Sequence, residues 1–589
     1  MKLKNRTYYT QRIDACKIEH AKAKRSYQLI GTFRLIAFLI AFLSLYFFWG
    51  SSFSFIGFGI FFITFLILVN LSANAKYQRD KWKKLIEINE EEINVLNGDW
   101  LHFEEGNEFK NAQHAYALDM DLFGKKSIYQ LLNRTVSRKG SNLLAHQLMY
   151  GTENQALANE AIETFSNEQD WCQEFLSEGL VFDKAELDRS FEKITTIESP
   201  ETKEAIFMRY AIPLFSIAAT VLVSMNVISG TVFSFYITFA LGLIGKNFSK
   251  VNVITTQVTS YASQVKMQQR QLELYQKLKL NPGLLSQSQE ALFKDDLNLL
   301  QSLKELEKIQ NRMDFRMNLL VGTILNFYLA WDYHVIHQWN QWKSKNQGNL
   351  SQWEEQLAQL EVWISGAVYR FNFPETCYAK FSEQDAIKIT ELGHPFVQFQ
   401  KRVSNNVEMN EENHFLIITG PNMAGKSTYL RSLGLAFICA NAGFPILAKS
   451  CEIPKMSLYS SMRTTDDLTV ESSYFHAELT RLRFIMDAIE RGEKVFIILD
   501  EILKGTNSKD KEIGSAKFLE KLKSLQAKGV IATHDLSLCN LATNNVAYKN
   551  WYFDSTIENN ELSFDYKIRN GVCQNMNASF LLKKMKLVD

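Results

Sequence analysis

Residues 419–428 read TGPNMAGKST and contain the pattern G-x-x-x-x-G-K-[ST] from Gly420 to Ser427. The apolar run FLIIT comes directly before the loop, and a helical pattern begins near Lys426. A strand, a glycine-containing loop and a helix in this order let backbone N–H groups converge on phosphates at the helix N-terminus. The stretch therefore predicts a nucleotide-binding domain that holds a nucleoside triphosphate together with Mg²⁺.

Each residue of this loop has an expected role. Lys426 should place a positive charge between the β- and γ-phosphates, and the Ser427 hydroxyl should bind Mg²⁺. The glycines let the backbone approach the phosphates closely. The other expected nucleotide-binding residues are Gly420, Pro421, Asn422, Met423, Ala424, Gly425 and Thr428.

Two further strand ends carry polar residues. The run VFIILDE (495–501) predicts a buried strand whose end presents Asp500 to Mg²⁺ and Glu501 to the attacking water. The run VIATHDL (530–536) predicts a strand that ends at His534. A histidine at a strand end is usually structural, but together with the other two motifs it predicts a catalytic phosphate sensor.

Two long stretches without charge organise the rest of the chain. No charged residue lies between Arg34 and Lys76, or between Arg209 and Lys246. Each run is about twice as long as one helical span requires. We expect two transmembrane hairpins, 33–72 and 210–246, formed by helices 33–50 with 53–72 and 211–228 with 231–246. The alternative is a pair of buried core helices, although soluble helices of this length usually have a charged face.

Basic residues flank both hairpins, which predicts a multi-pass protein of the cell membrane. The positive-inside rule then places the N-terminus and all large segments in the cytoplasm. The basic arm 1–32 either touches anionic headgroups or is a solvated amphipathic helix. Segments 77–208 and 247–380 are rich in helix-forming residues and predict long helices, and the α/β domain should occupy 385–589.

The composition excludes some classes of function. Formal net charge is +1, so nothing global indicates a polyanionic partner. None of the seven cysteines is paired at C-x-x-C spacing, which argues against a zinc site or a disulfide framework. At 589 residues, the chain should fold as several domains.

The C-terminal region resembles the MutS family of DNA mismatch-repair ATPases. The resemblance is carried by TGPNMAGKSTYLR (419–431), DDLTVESSYFHAEL (466–479), LDEILKGTNSKD (499–510) and ATHD (532–535). It implies an ABC-type P-loop ATPase domain that pairs head to tail in a homodimer. Ser473 then matches the signature-loop serine that reaches the partner's γ-phosphate, and residues 507–510 match a segment that crosses the dimer interface.

The resemblance extends upstream but is incomplete. Residues 119–144 are similar to the start of the family's helical core, and ELGHPF (391–396) resembles the lead-in to the ATPase domain. The stretch KRVSNN (401–406) lies where the family contacts the base, but it has no aromatic residue for stacking. The family's separate mismatch-recognition domain has no counterpart, and we interpret the F-x-E pattern at 103–105 as a chance match.

The expected architecture is thus a multidomain α and α/β chain. A helical core and lever region carries two transmembrane hairpins and precedes the ATPase domain. Three functional hypotheses follow: a membrane-anchored ATPase acting on DNA, an ATP-switched scaffold for protein partners without DNA, and half of an ABC-type transporter. The third is disfavoured because the expected spans contain no ionisable residue, the usual marker of a solute pathway, so no small-molecule transport substrate is expected.

Overall fold

The computed structural model describes residues 2–47, 52–187, 191–199, 202–246, 248–293, 299–317, 319–463, 474–504, 507–543, 545–558 and 561–574. Helices occupy the chain up to residue 372, and strands begin at Ala379. The helices are α1 Lys2–Phe47, α2 Ser52–Leu96, α3 Ile128–Leu132, α4 Arg138–Tyr150, α5 Gln155–Asn167, α6 Gln169–Leu180, α7 Lys184–Leu187, α8 Lys203–Ser224, α9 Gly230–Gly245, α10 Phe248–Thr259, α11 Ala262–Lys277, α12 Leu284–Phe293, α13 Leu299–Met317, α14 Leu319–Leu329, α15 Trp331–Asn346, α16 Leu350–Asn372, α17 Lys426–Ala442, α18 Tyr474–Glu490 and α19 Ser508–Ser524.

Helices α1 and α2 pack along each other as one long pair. The 46 residues of α1 would extend about 69 Å at 1.5 Å per residue. The basic arm is therefore the first part of a continuous helix that also contains the beginning of the first apolar run. Its buried residue Tyr9 donates a hydrogen bond to Asn372 Oδ1 at 2.9 Å, and Asn5 donates to the Phe371 carbonyl. The arm thus docks on the helical core.

The second apolar run forms α8 and α9, which pack against each other. Large apolar side chains on this pair face outward: Leu214, Phe235 and Phe239 are 67%, 78% and 65% exposed. Among the described residues, these side chains are not covered by a protein core. Three helices, α1, α2 and α8, are long and apolar enough to cross a bilayer, and α9 with the helices after it would supply a fourth.

The helical core is built around α16. The carboxylate of Glu361, near the middle of α16, accepts hydrogen bonds from the Val136 and Ser137 N–H groups at the start of α4. Burial raises the pKa of this carboxyl group to about 7. Arg134 pairs with buried Glu92 of α2. The core therefore joins α16, α4 and the base of α2.

The long helices expected over 77–208 are found only in part. After Leu96 the chain is irregular up to Ile128, apart from one turn at Asn107–Phe109, and α3 to α7 have 4 to 13 residues. Phe103, from the F-x-E pattern, lies against the Arg134 guanidinium, 3.7 Å from the ring centroid. This residue therefore belongs to the packed core.

The C-terminal region contains two main sheets. Its strands are β1 Ala379–Ser382, β2 Ile387–Leu392, β3 Asn405–Met409, β4 Phe415–Thr419, β5 Ser450–Pro454, β6 Ser457–Ser461, β7 Val495–Asp500, β8 Lys528–Ala532, β9 Tyr548–Phe553, β10 Thr556–Glu558, β11 Glu561–Ser563 and β12 Ile568–Asn570. The larger sheet has the order β12-β9-β4-β8-β7-β6, and all neighbours except β12 and β9 are parallel. A smaller mixed sheet has the order β1-β5-β2-β3.

Candidate functional site

Three neighbouring strands bring the predicted motifs together. In the larger sheet, β8 lies between β4 and β7, with Ala532 paired with both Ile418 and Asp500. Because the three strands are parallel, their carboxyl ends lie at one edge of the sheet. The loop after Thr419, the β7 end and His534 therefore meet at one place.

The phosphate loop, residues 420–427, turns sharply between β4 and α17. Gly420 has φ of 144°, and a Cβ atom there would lie 2.6 Å from the carbonyl oxygen of Phe553. Gly425 has φ of 110° and caps the N-terminus of α17, which starts at Lys426 as expected. Only glycine meets the steric demand at residue 420, so the loop has the close backbone packing that a phosphate cradle needs.

The Lys426 side chain folds back into the loop. Its ammonium group donates to the carbonyl oxygens of Gly420 and Pro421 at 2.7 and 3.1 Å, and lies 3.2 Å from His534 Nε2. Burial lowers the pKa of Lys426, while the carboxylates of Asp500 and Glu501 oppose this shift. A buried cation whose hydrogen-bond partners are two carbonyl oxygens and an imidazole nitrogen can exchange them for an anion.

Ser427 and Asp500 contact each other directly. The Ser427 hydroxyl donates to Asp500 Oδ2 at 2.8 Å. A hydroxyl and a carboxylate are hard oxygen ligands of the kind Mg²⁺ prefers, and this ion takes few ligands from the protein itself. Within the described ranges, no group of three or more His, Cys, Asp or Glu side chains forms a metal cluster, and a nucleotide-bound Mg²⁺ does not need one.

Glu501 and His534 form a second contact pair above the loop. Glu501 Oε1 lies 3.2 Å from His534 Nε2, which is also 2.7 Å from Asn422 Oδ1. Burial and then the Lys426 charge lower the pKa of His534, which favours the neutral ring. One tautomer of that ring accepts from Lys426, and the other donates to Glu501 or Asn422.

Glu501 sits in a strained backbone position held by a buried carboxylate that the sequence analysis missed. Glu501 and Leu503 have φ of 57° and 58°, in the left-handed region. Glu478 of α18, which is buried, accepts the N–H groups of Leu503 and Lys504. Glu478 therefore fixes the turn that aims Glu501. Its only sequence signal was its place in the stretch 466–479.

A cavity of about 550 Å³ opens beside the phosphate loop. Aromatic rings line it, and the closest is Tyr566: a Cβ atom on Gly425 would lie 3.3 Å from its ring. Tyr429 and Phe553 contribute two more rings with centroids 5.8 Å apart. The aromatic groups missing from residues 401–406 thus come from elsewhere in the chain, while Lys401, Arg402, Val403 and Asn405 also line the cavity.

The loop that begins the helical core is bound tightly to the α/β domain. Asp119 is buried and accepts from the N–H groups of Met462 and Arg463 at 3.1 and 2.9 Å. Asp121 pairs with the guanidinium groups of Arg463 and of Arg431 on α17. The segment 119–144 therefore contacts both the phosphate-loop helix and the end of β6.

Of two residues whose roles the resemblance implies, one lies outside the described residues and the other caps a helix. Ser473 lies outside the described residues, in the gap 464–473. Asn507 caps α19 by accepting from the Asp510 N–H group at 2.9 Å. The roles of both residues stay predictions.

A parallel sheet with this loop, preceded by a mainly helical region, fits the class of multidomain α and α/β ATPases. Residues 416–587 match MutS domain V. This region of the chain is therefore similar to one domain of the MutS family.

The chain is similar over part of its length to three curated relatives. It is 32% identical to human MutS protein homolog 4 over 236 residues, 38% of this chain and 25% of that protein. It is 32% identical to DNA mismatch repair protein MSH4 of Arabidopsis thaliana over 223 residues, 37% of this chain and 27% of that protein. It is 30% identical to DNA mismatch repair protein MutS of Thermotoga neapolitana over 235 residues, 39% and 28% of the two chains. The chain thus spans about a quarter of the length of the curated relatives it matches.

Proposed function

We propose that this protein is a membrane-anchored MutS-family ATPase that hydrolyses ATP in a head-to-tail dimer and couples the reaction to DNA binding. The observation that carries the proposal is the convergence of the phosphate loop, Asp500, Glu501 and His534 at one sheet edge.

The residues at this edge divide the chemistry between them. Lys426 exchanges its two carbonyl partners for phosphate oxygens and offsets their charge. Glu501 accepts a hydrogen bond from the attacking water and orients it. His534 senses the γ-phosphate from its position beside Lys426 and Glu501.

Ser427 and Asp500 are the residues that would hold Mg²⁺, since their oxygen atoms are already 2.8 Å apart. When bound, the ion neutralises charge on the phosphate oxygens. The loop backbone from Gly420 to Thr428 supplies the remaining phosphate contacts through its N–H groups.

The cavity beside the loop is the proposed site of the nucleobase. It adjoins Gly425 and Thr428, so a nucleotide whose phosphates occupy the loop would reach it. Tyr566 lies against Gly425 of the loop and offers an aromatic face for stacking.

The dimer is proposed because of the resemblance to the MutS family. Ser473 would reach the nucleotide bound by the partner subunit. Each nucleotide pocket is then complete only when two copies of the chain pair. Glu478 supports this arrangement because it lies five residues further along and holds the turn after Glu501. If the partner subunit closes on the segment that contains Ser473 and Glu478, the movement would thus reach the turn after Glu501.

Membrane anchoring is supported by the apolar helices α1, α2, α8 and α9. The outward-facing apolar side chains of α8 and α9 favour contact with lipid over a buried core. With basic residues at both ends of each hairpin, the core and the ATPase domain lie in the cytoplasm.

The DNA part of the proposal rests on the relatives, two of which are named DNA mismatch repair proteins. A scaffold that binds protein partners without DNA is the competing function, because the matches cover less than two fifths of the chain. The ATPase rate of the purified protein should be measured with duplex, mismatched and branched DNA at several salt concentrations. Stimulation with salt-dependent binding supports the DNA function; unchanged rates and no binding support the scaffold.

A further inference from the structure

A short apolar helix interrupts the region in which the sequence predicted lever helices. No charged residue lies between Arg316 and Asp332, and this stretch forms α14, Leu319–Leu329. The helices on either side carry charges and pack on each other: Trp342 Nε1 of α15 donates to the Ser302 carbonyl of α13 at 2.8 Å. The chain therefore leaves the helical core, passes through α14 and returns to the same side of the core.

Helix α14 packs on the second apolar hairpin. The Phe327 ring lies 5.9 Å from the Tyr236 ring of α9, and the Tyr328 hydroxyl is 3.3 Å from the Thr220 hydroxyl of α8. A small buried cluster at the base of the hairpin is formed by Ile212, Ile244 and Ala330. Thus α14 is continuous with the surface proposed to face lipid.

One face of α14 is apolar and partly open, beyond the contacts that the helix makes with the hairpin. Ile324 is 60% exposed, and Val321 and Leu329 are also exposed. Of the described residues, none covers this face as a core would. Phe235 and Phe239 extend the same exposed apolar surface along α9. A single apolar environment would therefore suit both α14 and α9.

Polar side chains on either side of α14 are hydrogen-bonded to each other where the chain leaves and rejoins the helical core. Asp332 Oδ1 accepts from Arg316 Nε at 2.9 Å and from Asn326 Nδ2 at 3.0 Å. Arg316 also donates to Asn252 Oδ1 of α10 at 3.2 Å. The Arg316 and Asp332 side chains are only 3% and 4% exposed. The two ends of α14 are therefore tied to each other and to the helix that follows the second hairpin.

We propose that α14 lies within the hydrocarbon of the bilayer beside the second hairpin, as a re-entrant helix that enters and leaves from the cytoplasmic side. This inference rests on the proposed membrane anchoring. Eleven helical residues extend about 16 Å, roughly half of the hydrocarbon thickness, so α14 is too short to cross. The lever helices α13 and α15 are thereby attached to the membrane directly, in addition to the hairpins.

Fluorescence quenching by lipid tests this placement. Ile324→Cys, Phe239→Cys and Lys308→Cys variants of the full chain are labelled with an environment-sensitive dye and reconstituted in phosphatidylcholine vesicles containing spin-labelled acyl chains. Phe239 is the reference on the hairpin, exposed Lys308 on α13 is the reference in water, and the unsubstituted chain gives the background from native cysteines. We expect the dye at residue 324 to lose fluorescence as it does at 239, and the dye at 308 to keep it.

The other outcomes separate the two proposals. If the dye at 324 keeps its fluorescence while the dye at 239 loses it, α14 lies outside the lipid and the hairpin remains anchored. If the dye at 324 is shielded from water-soluble quenchers but not quenched by lipid, protein covers this face and the inference is wrong. If the dye at 239 also keeps its fluorescence, the second hairpin lies outside the lipid, and both its anchoring and the inference about α14 are wrong.

Discussion

The nucleotide site and the second apolar hairpin use charge in opposite ways. At the site, Lys426, Asp500 and Glu501 each lie within about hydrogen-bonding distance of a named partner atom. Along α8 and α9, the exposed surface is made of apolar side chains such as Leu214 and Phe239. The first region depends on the position of individual atoms, while the second depends on length and the absence of charge. Substitutions should therefore separate the two properties.

Lys426→Ala is expected to have the largest effect, because it should weaken ATP binding as well as hydrolysis. Removing the ammonium group takes away the charge that balances the phosphates, so ATP turnover should fall by on the order of 10²-fold or more. Membrane retention, measured by carbonate extraction, should not change. Lys388→Ala, at an exposed position of β2, is the matched control. Normal turnover in Lys426→Ala would remove the proposed role of the phosphate loop.

Glu501→Gln should separate binding from hydrolysis within the same site. The amide keeps the shape of the side chain but is a poor base, so single-turnover hydrolysis should slow by about 10²- to 10⁴-fold. ATP affinity should remain, and ATP should trap the dimer in size-exclusion chromatography. Glu512→Gln on the exposed face of α19 is the control. Hydrolysis at the normal rate would show that another group positions the water.

Phe239→Lys tests the second apolar hairpin, the other region in the comparison. A lysine at the centre of a helical span raises the free energy of insertion by about 2.5–3.5 kcal/mol. The fraction of protein retained in carbonate-washed membranes should therefore fall, whereas Phe239→Leu should behave like the native chain. Equal retention of Phe239→Lys and Phe239→Leu would show that this face does not meet lipid.

Tyr566→Ala should have the smallest effect, and this effect should be limited to nucleotide affinity. Loss of one stacked ring lowers nucleotide affinity by about 1–3 kcal/mol, which a fluorescent ATP titration can measure. Tyr566→Phe keeps the ring and should bind normally. An unchanged Kd for Tyr566→Ala would place the base elsewhere.

Local patterns predicted the parts of the site that lie close together in sequence. The loop, the end of β7 and the start of α17 at Lys426 all follow from a few adjacent residues. Glu478 and Tyr566 could not be predicted in the same way, because their contacts with residues 503 and 425 depend on how distant segments pack. Ser473 and the other site residues keep their roles as predictions.

The apolar helices show a similar limit of prediction from sequence. A charge-free run longer than a span is visible in the sequence, but α14 is shorter than a span and lies among charged helices. The basic residues of α1 also gave no sign that Tyr9 is buried against Asn372. Length and charge predict which helices are apolar enough to cross a bilayer, whereas their attachment to the core depends on individual side-chain contacts.

The contact between α1 and the end of α16 has a mechanical consequence. Tyr9 and Asn5 bind at Asn372 and Phe371, a few residues before β1 opens the smaller sheet. If α1 tilts to match thinner or thicker lipid, its base moves at this junction. The rate of nucleotide turnover would then depend on the acyl-chain length of the lipid. Measuring this rate after reconstitution in lipids of increasing chain length would test the dependence.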